Sequence, residues 1–282
     1  MQNQSLSFSI ITPSFNQGRW LKLCIASVAD QAGESGQHII QDAGSTDGTA
    51  EWIQSDPRVQ GIVEKDAGMY DAVNRGLRRA TGDILAYLNC DEQYLPGALS
   101  KVAHLFARHP EVDMVFGDIV MVDEQGEYLC HRKVQPPRLF HTWTSHLSTL
   151  SCAMFFRRRL VAGGAYYFNT EYRCGGDQEW MVRVLRGGVK MAALGEFTSV
   201  FTRTGANLGR HPRADEERAK LRATAPVGLR LGVPLWVLHH RLCRWLAGAY
   251  SQQPYEFSLF TQSSPDRRIT RKVTNPVFRQ TW

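Results

Sequence analysis

Short, almost uninterrupted apolar runs alternate with helix-spaced segments through the first 117 residues. Residues 6–12 form such a run and end in Thr-Pro; residues 38–41, 59–64, 84–89 and 112–117 repeat the pattern. Runs this short and this apolar predict strands covered on both faces. Between them Leu21, Ile25 and Val28 recur at helical spacing. Residues 49–54 follow the turn cluster Gly44-Ser45-Thr46-Asp47-Gly48, residues 69–80 stop at Thr81-Gly82, and residues 95–108 run into Pro110. These start and stop signals predict helices. The expected fold class is α/β, a Rossmann-like, mostly parallel sheet with flanking helices.

The pattern then changes. Residues 118–122 and 127–132 flank Asp123-Glu124-Gln125-Gly126 and predict a hairpin. Residues 150–156 predict a strand, 178–186 a helix ending at Gly187-Gly188, and 190–193 and 197–202 two closing strands. Residues 203–225 are polar and read as a linker or surface helix. Residues 234–250 place Leu235, Leu238, Leu242, Trp245 or Leu246, and Ala249 on one helical face, with Arg241, Arg244 and Gly248 on the other. Residues 266–282 read as a basic arm, flexible or docked. The expected division is an α/β domain over 1–202 and a basic, helical C-terminal extension over 203–282.

Composition narrows the class. The chain of 282 residues is 43% hydrophobic and 21% charged, which excludes a disordered polymer. Its length buries enough core to need no staple. Six cysteines, at 24, 90, 130, 152, 174 and 243, contain no C-x-x-C pair, which argues for reduced thiols rather than a zinc or redox motif. Residues 1–7 are polar, unlike a signal peptide, and no run of about 18 apolar residues occurs. The expected location is cytoplasmic, with contact at the inner face of the membrane left open.

Charge is unevenly placed. Residues 203–282 carry 14 Lys/Arg against 5 Asp/Glu, whereas the rest of the chain is slightly acidic. A basic block of this kind suits an anionic partner: membrane surface, nucleic acid or acidic protein.

In parallel sheets ligands bind beyond the carboxyl ends of the strands. Thr12, Pro13 and Asn16 follow the first run, Asp42 the second, Lys65 and Asp66 the third, Asn89, Asp91 and Glu92 the fourth, and Asp118 the fifth. Any one of these acids suits a turn or helix cap. Their recurrence at one edge points to a site. Asp91 and Glu92 would repel each other unless a cation lies beside them. Mg²⁺ or Mn²⁺, held by carboxylates and diphosphate oxygens, is the natural partner.

Five blocks carry a resemblance. Ser9-Ile-Ile-Thr-Pro-Ser-Phe-Asn-Gln17, Gln41-Asp-Ala-Gly-Ser-Thr-Asp-Gly-Thr49, Asp66-Ala-Gly-Met-Tyr-Asp-Ala-Val-Asn-Arg-Gly76, Leu88-Asn-Cys-Asp-Glu92 and Gly175-Gly-Asp-Gln-Glu-Trp-Met-Val-Arg183 resemble, in order and spacing, a family 2 glycosyltransferase of GT-A fold over residues 7–202. The resemblance implies a nucleotide-sugar donor, UDP-sugar favoured, and Mn²⁺ or Mg²⁺. It implies that Thr12 and Pro13 shape the nucleotide pocket, with Phe15 near the base. Asp42 and Asp66 would contact base or ribose, Asn89 the ribose or sugar, Asp91 the metal with Glu92 beside it, and Asp177 would be the general base of an inverting transfer. The chain departs from the family pattern at Asn89, which stands at the first acid of D-x-D, and at Ala43, where many relatives carry a second Asp. The setting it implies is surface-polysaccharide biosynthesis, with a glycan or lipid-linked acceptor and no nucleic acid.

Alternatives remain. Asp177 also suits a helix cap, and Glu179 is a second candidate base. A nucleotidyltransferase would place a glycine-rich basic loop after the first strand, which Thr12–Asn16 lacks. A catalytically degenerate nucleotide-sugar-binding module tethered by its basic tail is the remaining reading, favoured by Asn89. Residues 134–148, with Phe140, His141, Trp143 and His146, suit either acceptor stacking or a satellite core. His131, His141 and His146 lack metal-ligand spacing and read as non-ligands. The 234–250 helix suits a membrane surface, packing on the core, or a homodimer contact.

Overall fold

The computed structural model describes residues 6–31, 36–205 and 207–278; residues 1–5 of the polar N-terminal stretch and the last four residues of the expected arm lie outside this set. The described chain forms one large sheet in the order β3-β2-β1-β4-β8-β6-β9-β5, with β7 on β6, and a separate two-stranded sheet, β10-β11. The strands of its first half are β1 (Phe8–Ser14), β2 (Gly36–Asp42), β3 (Gln60–Val63), β4 (Ile84–Tyr87) and β5 (Glu92–Tyr94). Those of the second half are β6 (Met114–Val122), β7 (Tyr128–Arg132), β8 (Met154–Arg157) and β9 (Met191–Thr202), followed by β10 (Tyr255–Thr261) and β11 (Ser264–Val273). Strands β3, β2, β1 and β4 run parallel, as do β6 and β9; β8 enters antiparallel between β4 and β6.

Helices α1 (Gly18–Ala29), α2 (Thr49–Trp52), α3 (Met69–Arg79) and α4 (Ala98–Arg108) connect the early strands; α5 (Leu139–Thr144) and α6 (Gly176–Arg186) follow β7 and β8. The principal core is built from residues of β1, β4, β6, β8, α3 and α6, with Trp180, Tyr87 and Phe116 among its fully buried side chains. Helix α3 lies close on β1 because Gly76 has no side chain; a Cβ there would collide with Ile11.

Two expected pairs of strands are continuous. The fifth run and the first hairpin arm form the single strand β6, and the closing strands form the single strand β9, bent at Gly195 with φ 74°. The 203–225 segment contains α7 (Pro212–Ala223), and α8 (Val227–Leu231) and α9 (Val233–Leu246) follow.

The arm is neither helical nor loose over its described part. Strands β10 and β11 pair antiparallel and dock on the sheet edge, where Phe257, Leu259 and Val273 join Leu95, Val120 and Val200 in a second core. Gln93 and Phe260 exchange two hydrogen bonds of 2.9 Å each. Arg268 grips Asp30 through two contacts, of 2.5 and 2.7 Å. Arg271 pairs with Glu127. The basic tail is therefore partly neutralised by acids of the main body.

The apolar stripe of the 234–250 helix does not pack on the core. Leu235, Leu238, Leu242, Trp245 and Leu246 are exposed, whereas Ala249 is buried. The packed face carries Trp236, against Phe140 at 4.9 Å, and Arg244, which donates to the carbonyl of Lys133 and lies over Phe278. Among the described residues no helix is long and apolar enough to cross a membrane. All six cysteines are free thiols.

Candidate active site

Strand ends bring the expected residues to one edge. The β2 carboxyl end delivers Asp42, whose carboxylate accepts from Ser14 Oγ (2.8 Å), Gly44 N (3.0 Å), Ser45 N (2.7 Å) and Ser45 Oγ (2.6 Å). Both oxygens are engaged and the residue is fully buried, so Asp42 shapes the turn and offers no free acceptor to a nucleotide in this conformation. Asn16, with φ 52°, ties the neighbouring loop to the same turn: its Oδ1 accepts from Thr46 N and its N donates to Ser45 Oγ, both at 2.8 Å. Beside these loops lies a cavity of about 850 Å³ lined by residues that include Asn16, Trp20, Asp47, Trp52, Glu124 and Thr204.

The other nucleotide-pocket residues fall into two groups. Thr12 is buried, its hydroxyl paired with His38 Nε2 at 2.9 Å, so it does not face a ligand. Phe15 is 59% exposed and Pro13 partly so. Asp66 is half-buried; burial raises its carboxyl above the usual range, while the Gly68 amide donates to it at 2.8 Å.

The turn from β4 into β5 carries Asn89, Asp91 and Glu92. Glu92 does not stand beside Asp91 as a second open ligand. Its fully buried carboxylate accepts from Asn89 N (2.8 Å) and Ser151 Oγ (3.0 Å), because β5 pairs with β9 and turns this side chain inward. Burial, then the nearby charge of Asp91, push its pKa up. Asn89 donates to Ser151 Oγ at 3.2 Å. Asp91 remains partly open, with Oδ2 accepting from Asn207 Nδ2 at 3.1 Å; burial raises its carboxyl too. The partly open Asp91 carboxylate is a hard oxygen donor, which suits a magnesium-class ion completed by diphosphate oxygens.

Asp177 opens α6. Its Oδ1 accepts from Gln178 N at 2.9 Å, and its carboxyl is raised by burial, with Arg218 pulling the other way. The Tyr70 hydroxyl, one residue into α3, accepts from Asp177 N at 3.1 Å and lies 3.4 Å from Oδ1. Tyr70 is itself stacked on Phe168, which stacks on Trp180. Glu179 is held instead by Arg183 at 2.8 Å.

Mutual influence shows the shared edge. The Tyr87 hydroxyl is raised by burial, then by Asp177 and Glu92. The Cys90 thiol is raised by burial, then by Cys24, Asp91 and Asp42. Asp177 and Glu92 thus lie within electrostatic reach of Tyr87, and Asp91 and Asp42 within reach of Cys90.

Contributors also lie beyond residue 202. Glu217 of α7 accepts from the backbone amides of Arg173 (2.8 Å), Cys174 (2.9 Å) and Gly175 (2.9 Å), the loop that delivers Asp177. Burial disfavours its charge, but these amides and Arg213 more than offset that and hold the carboxyl below its usual range. Sequence reasoning missed Glu217, Asn207 and Thr204, which sit in a polar stretch with no pattern to single them out. Tyr70 lay inside a quoted block, but its partner Asp177 is 107 positions away.

The 134–148 segment mainly fills a satellite core: Trp143 packs with Val182, Leu221 and Ala225, and its indole donates to Thr224 at 2.9 Å.

The description Glycosyl transferase family 2 fits residues 9–163. A PGL/p-HBAD biosynthesis glycosyltransferase of Mycobacterium bovis (strain BCG / Pasteur 1173P2) is 31% identical over 186 residues, 62% of this chain and 68% of that protein. A putative teichuronic acid biosynthesis glycosyltransferase, TuaG of Bacillus subtilis (strain 168), is 34% identical over 106 residues; the match spans 36% of this chain and 42% of TuaG. Among solved structures, S. aureus TarS 1-349 in complex with UDP-GlcNAc superposes with a TM-score of 0.60 at 17% identity, over 86% of this chain and 75% of that chain. The likeness to TarS places the chain in the GT-A fold, and with more than half of its length covered by the family, the chain belongs to glycosyl transferase family 2.

Proposed function

We propose that this chain is an inverting transferase that moves one sugar from a nucleotide sugar to a glycan or lipid-linked acceptor in surface-polysaccharide biosynthesis. The observation that carries the reading is Asp177: a carboxylate raised by burial, fixed by Tyr70, at the sheet edge that also presents Asp91. A UDP-sugar is the preferred donor. The UDP-GlcNAc complex of TarS supports that choice, as the mycobacterial and Bacillus relatives support the setting.

Asp91 would hold Mn²⁺ or Mg²⁺; the bound ion would neutralise diphosphate charge as the leaving group departs. Asp177 takes the proton of the acceptor hydroxyl while that oxygen bonds to the anomeric carbon. The bond from that carbon to the diphosphate oxygen breaks on the opposite face, and its electron pair leaves with the nucleotide. A raised pKa suits this role, because the carboxylate then has the proton affinity a base needs. Phe15, Pro13, Asp66 and Asn89 remain open to the donor, whereas Thr12, Asp42 and Glu92 brace the loops around it.

Helices α8 and α9 supply a membrane-facing surface in this reading. Val227, Leu231 (78% exposed), Leu235, Leu238, Leu242, Trp245 (66%) and Leu246 stand free, with Arg230 and Arg241 exposed among them and no acid between 218 and 255. Such a face matches an anionic lipid surface. The C-terminal segment is therefore proposed as a working part of the enzyme, through Glu217 and through this face.

The test measures nucleotide release from UDP-sugars with Mn²⁺, with and without acceptor. Asp177→Asn is expected to lose transfer at least about 100-fold with donor affinity nearly intact, and Asp91→Asn to lose metal stimulation. Donor hydrolysis absent from the unaltered protein across UDP-, GDP- and dTDP-sugars, or transfer surviving in Asp177→Asn, would overturn the proposal.

A further inference from the structure

Away from the strand-end carboxylates, three histidines from two segments converge. His141 lies in α5, His146 just after it, and His240 in α9. One ring nitrogen from each lies within 4.8 Å of the others. His141 is 2% exposed and His240 5% exposed, their rings stacked 3.9 Å apart at 14°. Neither nitrogen of either ring has a hydrogen-bond partner among the described residues. Leaving buried polar groups unpaired is unfavourable, so four such atoms in one place call for a ligand.

We infer that His141, His146 and His240 form a transition-metal site of the zinc class that fastens α9 to the 134–148 segment. Imidazole nitrogen is the donor this class prefers, in contrast to the oxygen donors at Asp91. Three histidines leave a fourth position open in a tetrahedral site. Zn–N bonds of about 2.0–2.1 Å place ligand nitrogens about 3.4 Å apart. The stacked rings must therefore turn toward a common centre, by a side-chain movement on the order of 1 Å.

The surroundings favour neutral rings with free lone pairs. Burial lowers His141, and so do His240, His146, Arg244 and Arg138. His146 is lowered by burial and by Arg132, Arg244, Arg218 and Arg241; His240 by burial and by Arg244, His146 and Arg138. Those guanidinium groups oppose a bare dication, so the open position would be filled by an anion such as hydroxide or chloride. Sequence spacing had set His141 and His146 aside as non-ligands. The third donor, His240, arrives only through the packing of α9 on α5, while His131 is elsewhere, paired with Tyr128 at 2.9 Å.

The test uses the tag-free full chain in an Asp91→Asn background, which removes the carboxylate site. Zn²⁺ affinity is measured by competition with a chromophoric chelator, metal content by elemental analysis after desalting, and geometry by Co²⁺ absorption. About one equivalent with an intense tetrahedral Co²⁺ band is expected. His146→Ala, at an exposed position, should weaken Zn²⁺ binding at least about ten-fold, and His240→Asn should abolish the band. Substoichiometric metal in the parent, or equal affinity in the parent and His146→Ala, would overturn the inference.

Discussion

Replacing Glu217 with alanine tests whether α7 belongs to the active site. The change strips the acceptor from three backbone amides, those of Arg173, Cys174 and Gly175, and from the Arg213 guanidinium at 3.0 Å. An unpaired buried donor is unfavourable by about 1–3 kcal/mol. This loop is only partly buried, so water would recover some of that loss, and a total of about 3 kcal/mol is expected. At about 2–4 °C per kcal/mol, Tm should fall by about 6–12 °C. The catalytic effect should be larger in kind: these amides end two residues before Asp177, and displacement by about 1 Å lowers rates about 100-fold. The assay is kcat and donor KM beside thermal unfolding. A large fall in kcat with donor KM nearly unchanged is expected, with Glu217→Gln intermediate because its amide oxygen still accepts. The pH dependence has a definite sign. The Glu217 carboxyl lies below its unfolded value, so its stabilisation is present above that value and is lost as pH falls through the folded one. The Tm gap between the two proteins should therefore close below about pH 4. A Glu217→Ala protein with unaltered kcat would refute the reasoning, even if its Tm fell.

Two further outcomes are expected. Asp118 is buried, its carboxyl raised to about 6 chiefly by burial, with Val134 N donating to it at 2.7 Å. The folded state therefore binds a proton more tightly than the unfolded one, and the charged form destabilises as pH rises through about 4–6; Asp118→Asn, which keeps the acceptor, should stabilise at pH 7.5 by up to about 3 kcal/mol and have little effect at pH 4. Equal shifts at both pH values would contradict this. Replacing Leu235, Leu238 and Trp245 together with glutamine should weaken sedimentation with anionic liposomes more than about 100-fold, since each buried apolar side chain contributes about 1.5–3 kcal/mol; unaltered sedimentation would exclude this face as the lipid contact.

Much of the fold is local, and local patterns disclosed it. The apolar runs at β1, β2 and β4 are buried on both faces, so their composition alone marks them. The places of Asp42 at a strand end, Asp91 in the turn after β4 and Asp177 at a helix start were legible because such positions have characteristic residues. The hairpin β10-β11 was not recognised, although Tyr255, Phe257 and Leu259 alternate with polar neighbours, because a short strand pair becomes stable only when it docks. The same limit hid the inward turn of Glu92, which follows from its pairing with β9 rather than from its neighbours.

The order of residues was enough to set most strands of the main sheet, the acids that follow them, and the family they belong to, because those depend on spacing within a few residues. Only the packed chain decided that Asp42 braces a turn, that α7 anchors the Asp177 loop, that the α9 stripe stays uncovered, and that His240 meets His141 and His146. Each of these joins atoms far apart along the chain, and such contacts exist only once long-range packing has fixed the relative positions of whole elements.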